Sequence, residues 1–453
     1  MLISDINTII QNENSSTPTT NDRQILAKLK IYSNLAEIIQ PLGDLPLEFS
    51  AEDWSNIRSD SLTLIGSNVN LTGQTITEKK NSFNNQLIYV RSPLSSQTET
   101  RFLEATMIDE NRSLVKFVDN NISQEPIFFT VSSNEILYIN EPLRSKYYVN
   151  FTYDATDTVY VSYLRSNLNW KTRYQLYLFD ESEEPILIAM ADIRNNGKSR
   201  IDIENAELLA GDINLKMSDQ QNSGAENGFY RALAPAYNSQ FPTTVEKSQE
   251  VAGVYVYTIN QSFSIDSKTN YLLPMFRPQV NVTRFVSIYK TYFYGVTKST
   301  GKGERSYRLS SDVFLPRGNC MIREYDYLVG ETYLPDIASK YLHEFSIGQD
   351  PDIFYNETVT LVSSREYEKT IQGINTIRKE RQSIYNVTVL LKNFKNNRSI
   401  NVEYKQTTQG LSVRLLMSNG VRTQDGTIFV YKTTLSADEE KLIFYKFEII
   451  DLI

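Results

Sequence analysis

The side chains that carry most nucleophilic and metal chemistry are nearly absent from this chain. Its 453 residues include one histidine, His343, and one cysteine, Cys320. A serine or cysteine nucleophile needs a base, usually an imidazole, and a third group to orient that base. Only His343 is available for the role. It lies in S-K-Y-L-H-E-F-S-I-G, and no G-x-S-x-G elbow occurs anywhere. His343 therefore reads as a surface or strand-edge residue. A structural zinc site draws on several cysteines and histidines, and one of each does not supply it. Calcium takes aspartate and asparagine oxygens, and G-Q-D-P-D-I-F-Y-N-E over 348–357 is acidic. That segment lacks EF-hand spacing, so it reads as a turn. G-K-G-E at 301–304 does not match a phosphate-binding loop and reads as a hairpin loop between T-Y-F-Y-G-V and R-S-Y-R-L-S-S. Carboxylates are plentiful, with 54 Asp plus Glu, but nothing singles out a pair of glycosidase type. No catalytic, cofactor-binding or metal-ligating residue is assigned, and no cofactor is expected.

Charge points the same way. The net charge is −8, so no basic face for nucleic acid is expected, and the run I-R-K-E-R-Q at 377–382 reads as a solvated segment before a strand at 384. Triplets of the N-x-[ST] type at Asn70, Asn150, Asn281, Asn356 and Asn386 read as chance in a chain rich in Asn, Ser and Thr. One cysteine permits no internal disulfide. The opening M-L-I-S-D-I-N-T-I-I-Q-N-E-N has no basic region followed by a long apolar one, so no leader is expected, and no stretch approaches a membrane span. The expected setting is a virion or the cell interior, with the cell surface as the alternative.

The elements that would position any site are strands. Tyr (29) and Phe (21) dominate the aromatics, and both fit a pleated, half-buried surface. The predicted class is mainly β, in five parts. Residues 1–20 are a polar arm. Residues 21–59 are a helical segment, with Asn21 as cap, Ile25, Leu29, Tyr32, Leu35, Ala36 and Ile39 on one stripe, and Pro41 ending it. Residues 60–145 are a small β-barrel or meander, with a hairpin at Asp109-Glu110-Asn111. Residues 146–350 are a central β-sandwich, with a pair of strands around Asn195-Asn196-Gly197 and a long loop over 216–250. Residues 351–453 are an immunoglobulin-like sandwich by their alternation and spacing. Trp170 and Tyr174 are four apart, so both face one side of a regular strand with Leu176 and Leu178. Burying each would contribute about 1.5–3 kcal/mol, and core packing explains all four.

An ordered series of motifs runs through the second half. V-Y-V-S-Y-L at 159–164, N-W-K-T-R-Y-Q-L-Y-L at 169–178, A-D-I-R-N-N-G-K at 191–198 and A-E-L-L-A-G-D at 206–212 come first. S-F-S-I-D at 262–266, L-P-R-G at 315–318, Y-L-V-G-E-T-Y at 327–333 and Y-N-V-T-V-L-L-K-N-F-K at 385–395 follow. Over roughly 145 to 453 the chain resembles the C-terminal domain of mucoidy-inhibitor-like proteins, a β-rich domain of unknown function. It departs at Thr172, where that family usually has proline, and in lacking a long N-terminal coiled coil. The resemblance implies a fold and carries over no catalytic residue.

The expected function is a non-catalytic structural or assembly protein that self-associates or packs with other structural proteins, such as a viral capsid-associated or inclusion-lattice component. The alternatives are a binding module of a cell surface or envelope and, last, a carboxylate hydrolase. Because aromatics are enriched where interfaces bury area, Phe229, Tyr230, Tyr237 and Phe241 are the expected self-association anchors.

Overall fold

The computed structural model describes residues 26–79, 82–91, 102–119, 123–139, 145–180, 183–213, 245–291, 297–370 and 377–453. The chain is mainly β, with 70% of the described residues in strands, in several sheets that include a curled half-barrel.

No helix forms over 26–40, the described part of the stripe that predicts one. Ala27–Ile31 and Ala36–Pro41 pair as an antiparallel hairpin, with Lys28 opposite Ile39 and Ile31 opposite Ala36. Ala27, Leu29 and Ile31 are buried in strict alternation. The reversal through Ser33 and Asn34, closed by Tyr32 N–H to the Leu35 carbonyl at 2.8 Å, resets the phase of the pattern. Two short strands joined by such a turn imitate a 3.6-residue period. Asn21 and Ile25 lie outside the described residues. The α-helix that does form before residue 60 is one turn, Ala51–Trp54, capped by Ser50 Oγ on Asp53 N–H.

That hairpin joins a mixed eight-stranded sheet. Ala27–Ile31 runs parallel to Ile201–Ala210, and Ala36–Pro41 pairs with Tyr160–Arg165. Strands from the segments expected as 21–59 and 146–350 thus share one sheet. Leu47–Ser50, Lys146–Ala155 and Val69–Lys79 form a three-stranded ribbon sheet beside it. The meander builds its own five-stranded sheet between Val69–Lys79 and Lys146–Ala155, with reversal at Asp109, Glu110 and Asn111 between Phe102–Asp109 and Leu114–Asp119.

A second five-stranded sheet bridges two cores. Its strand Leu168–Leu178 buries every even residue. Leu168 and Trp170 pack into the core of the eight-stranded sheet, whereas Tyr174, Leu176 and Leu178 pack into a second core with Leu309 and Phe345. The parallel neighbour Gly318–Glu324 explains one glycine: a Cβ on Gly318 would sit 2.0 Å from the Thr172 carbonyl oxygen. Ile186–Asn195 and Ile201–Ala210 flank Asn195-Asn196-Gly197 as expected, but they do not pair with each other. The first joins the bridging sheet and the second the eight-stranded one. Asn195, fully buried, stops the hairpin by donating its side-chain amide to the carbonyls of Ser199, Ile265 and Asp266.

The C-terminal region is one continuous nine-stranded sheet curled around its own core. Three predicted loops are strand here. Residues 301–304 lie inside Thr297–Ser311, residues 348–357 inside His343–Thr370, and residues 377–382 inside Ile377–Asn393. Gly, Asp and Arg signal turns in isolation. In this sheet the charges are matched across strands, and the glycines admit neighbouring side chains. The loop predicted over 216–250 also ends early, since Glu246–Val251 is a strand paired with Val254–Ile259.

Candidate functional site

Cys320 and His343 sit on different strands, Gly318–Glu324 and His343–Thr370. Cys320 is fully buried opposite Tyr174, and burial pushes its thiol up to about 12. A thiol held there supplies almost no thiolate at neutral pH. His343 opens its strand half-buried, with its ring 5.9 Å from Phe345, and burial lowers its pKa. Among the described residues, no three His, Cys, Asp or Glu side chains are grouped to hold a metal ion.

The most concentrated polar chemistry lies inside the curled C-terminal sheet. Glu357, Tyr404, Gln406 and Tyr445 are all at least 97% buried, so their polar atoms must satisfy one another. Tyr404 donates its hydroxyl to Glu357 Oε2 at 2.6 Å. Tyr445 donates to Gln406 Oε1, and the two phenol oxygens lie 3.2 Å apart. Burial drives both phenols far above their usual range, which keeps them neutral donors. The four residues come from three strands, His343–Thr370, Ile400–Thr407 and Glu440–Leu452, and the last two are not neighbours in the sheet. The cluster can fasten the two sides of the curl.

Charged residues act in the same way nearer the surface. Arg308 grips Glu403 with both Nη atoms at 2.6 Å, lies over the Phe285 ring at 4.0 Å, and turns its Nε to Glu344. Burial pushes the Glu403 carboxyl up, but hydrogen bonds from Arg308 and Lys432 outweigh this and hold it below the usual carboxylate range. Asp192, 1% exposed, receives Arg173 and Arg194, both on Oδ2 at 2.7 Å. Lys395 bridges the buried Asp350 and the half-exposed Asp352, so the acidic stretch at 348–357 holds an ammonium group of its own chain. Every one of these groups spans strands or a strand and its adjoining loop.

Two surface recesses lie among the described residues. One of about 320 Å³ is lined by Asp352, Phe394 and residues 395–398. The other, about 220 Å³, lies between Tyr32-Ser33-Asn34 and Arg317. In it Arg317 is already held by Asp212 and Asp336. Both are polar and shallow compared with the largely apolar clefts that small ligands occupy.

Of the residues singled out in the sequence, Trp170, Tyr174, Leu176 and Leu178 are 3%, 1%, 0% and 1% exposed. Trp170 donates its indole N–H to the Leu209 carbonyl, and Tyr174 its hydroxyl to that of Pro316. Phe229, Tyr230, Tyr237 and Phe241 lie outside the described residues. Sequence reading missed the long paired-strand ribbons. Their signal was present in the opposite charges that 365–369 and 378–381 bring together, as Glu366 with Arg381 and Glu368 with Lys379. No helix among the described residues is long and apolar enough to cross a membrane. The chain matches no family model, no curated protein and no solved structure.

Proposed function

We propose that this chain is a non-catalytic structural protein that self-associates or packs with other structural proteins into a larger array, of the kind found in capsid-associated or inclusion lattices in a virion or cell. The observation that carries this reading is an arm. The 28-residue strand His343–Thr370 leaves its core after Val359 and continues beside Ile377–Asn393. Over 360–370 its other edge meets no strand among the described residues. Instead of a core, cross-strand contacts hold it: Glu366 with Arg381, Glu368 with Lys379, and Tyr367 with Glu380, which also takes Arg378. No residue of 360–370 is buried, although Ile377–Asn393 behind it stays paired with Glu440–Leu452 as far as Glu380. Reaching a neighbour is the use that its geometry favours.

The kinship with the C-terminal domain of mucoidy-inhibitor-like proteins belongs to this proposal. Its support is that the motif residues have matching structural tasks, with Tyr174 holding Pro316 and Gly318 passing close to Thr172. We also read the C-terminal unit as sandwich-like. Phe429 and Phe447, from strands that are not sheet neighbours, pack with ring centroids 5.0 Å apart. Its strand order differs from the two separate sheets of an immunoglobulin domain. Electron microscopy and light scattering of the purified chain test the assembly reading. Regular arrays, or mass growing with concentration, support it. A constant single-chain mass under all conditions refutes it.

A further inference from the structure

Open sheet edges are where a β protein meets other chains, and natural proteins guard them with charge, proline, bulges or brevity. Most edges of this fold are guarded. The arm at 360–370 carries Arg365, Glu366, Glu368 and Lys369, and a bulge between Leu361 and Ser363. Thr269–Phe276 contains Pro274, and Ser123–Thr130 contains Pro126. Ser412–Ser418 contains Arg414 and a bulge. The edge strands Thr63–Ile65, Ile136–Tyr138 and Arg422–Gln424 are three residues each.

The strand Val69–Lys79 is different. It pairs with Lys146–Ala155 along one side and with no strand along the other among the described residues. It holds no proline, and no charge before Glu78. Thr72 forms a bulge, since Gly73 faces Thr152 and Leu71 faces Tyr153, but the run from Gly73 to Lys79 is regular. One cross-strand row in this sheet is apolar from end to end: Leu47 faces Val149, and Val149 faces Ile76. Val149 is fully buried, whereas Ile76 is 42% exposed. The apolar row therefore runs off the sheet into water at Ile76.

We propose that the edge from Gly73 to Lys79 pairs with the same edge of a second copy of this chain, antiparallel, about a two-fold axis at Ile76. This rests on the assembly reading above and names its contact. The row of backbone N–H and C=O groups on an open edge is recognised by another extended strand. The sequence suits an identical one. Antiparallel pairing centred on Ile76 sets Thr75 against Thr77, Gln74 against Glu78 and Gly73 against Lys79, so no like charges meet. Thr–Thr pairs are favourable across strands. Ile76 meets its own copy, and the row becomes Leu47–Val149–Ile76–Ile76–Val149–Leu47. The same patch serves both copies, as a closed two-fold contact requires. A single strand pair is a small interface, so the dimer forms in a concentration-dependent way.

The test uses the full chain. Sedimentation velocity follows the wild type, Ile76→Lys and, as an equally exposed control away from both the arm and this edge, Ile186→Lys. The wild type shifts towards twice the single-chain mass as concentration rises, Ile76→Lys loses this step, and Ile186→Lys keeps it. Ile76→Cys gives an independent readout, because Cys320 is buried and the two introduced thiols would face each other across the axis. Mild oxidation then yields a covalent dimer at least about tenfold faster than with Ile186→Cys, as expected where pairing raises effective concentration. Equal crosslinking rates, with a wild type that associates, overturn this contact and leave the assembly reading standing. A wild type that never exceeds one chain overturns both.

Discussion

Removing one hydroxyl from the C-terminal core should be costly out of proportion to its size. Tyr404→Phe deletes the donor that reaches Glu357 Oε2 at 2.6 Å and leaves packing volume almost unchanged. Glu357 is 3% exposed and Tyr404 is fully buried, so water does not replace the lost bond. A buried polar atom left without a partner costs about 1–3 kcal/mol, and the net value of the bond itself is about 1 kcal/mol. The expected loss is thus about 2–3 kcal/mol, read as a lower urea midpoint for the transition that reports on the C-terminal sheet. The double variant Tyr404→Phe with Glu357→Met removes the orphaned carboxyl and should recover part of the loss. Tyr445→Phe should cost less, since it leaves a neutral amide oxygen, Gln406 Oε1, without its donor rather than a carboxyl oxygen. If Tyr404→Phe unfolds with the wild type, or the double variant is weaker than Tyr404→Phe, the cluster does not fasten the curl and the reasoning fails.

Other consequences can be checked one by one. Cys320, with its thiol pushed up to about 12, should resist a thiol reagent at neutral pH in the native chain and react fully in urea. Native labelling at the unfolded rate would contradict its placement. Gly318→Ala should unfold many degrees earlier because its Cβ would overlap the Thr172 carbonyl, whereas Gly43→Ala, with open space around its Cβ, should not. Glu403 has a folded pKa below the 4.5 of a free carboxyl, so its contribution is fully present above that value and is lost as pH falls through the folded pKa. Glu403→Gln should therefore flatten the acid limb of the stability curve below about pH 5, and an unchanged limb would show that the ion pairs are not coupled to folding. His343, the one imidazole signal in a proton spectrum, should titrate below 6.5, and a value above it would mean that the ring is not desolvated.

The strands were legible wherever one face is buried and the other wet. Leu168–Leu178 alternates without a break, and so does the run from Ser383 to Asn393. Reading failed where a residue type carries two meanings. Glycine suggested a loop at 301–304, but Gly301 and Gly303 sit inside a strand because a Cβ would lie 2.7 Å from the Tyr355 hydroxyl oxygen and 2.2 Å from Val286 Cγ1. Charge suggested solvent at 377–382, yet Glu380 is 1% exposed beneath Arg378 and Tyr367. Apolar spacing suggested a helix at 25–39 because a tight hairpin shifts the alternation by half a period. The polar cluster could not be found from sequence. Glu357 and Tyr404 are 47 residues apart, Tyr404 and Tyr445 are 41 apart, and only the curl of the sheet joins them.

The central claim is that this protein works by associating with copies of itself or with other structural chains. Light scattering of the purified chain over a wide range of concentration, with no added partner, addresses it most directly. The account predicts a weight-average mass that climbs from one chain towards two or more as concentration rises. A mass fixed at that of a single chain, at every concentration and salt condition, would contradict it.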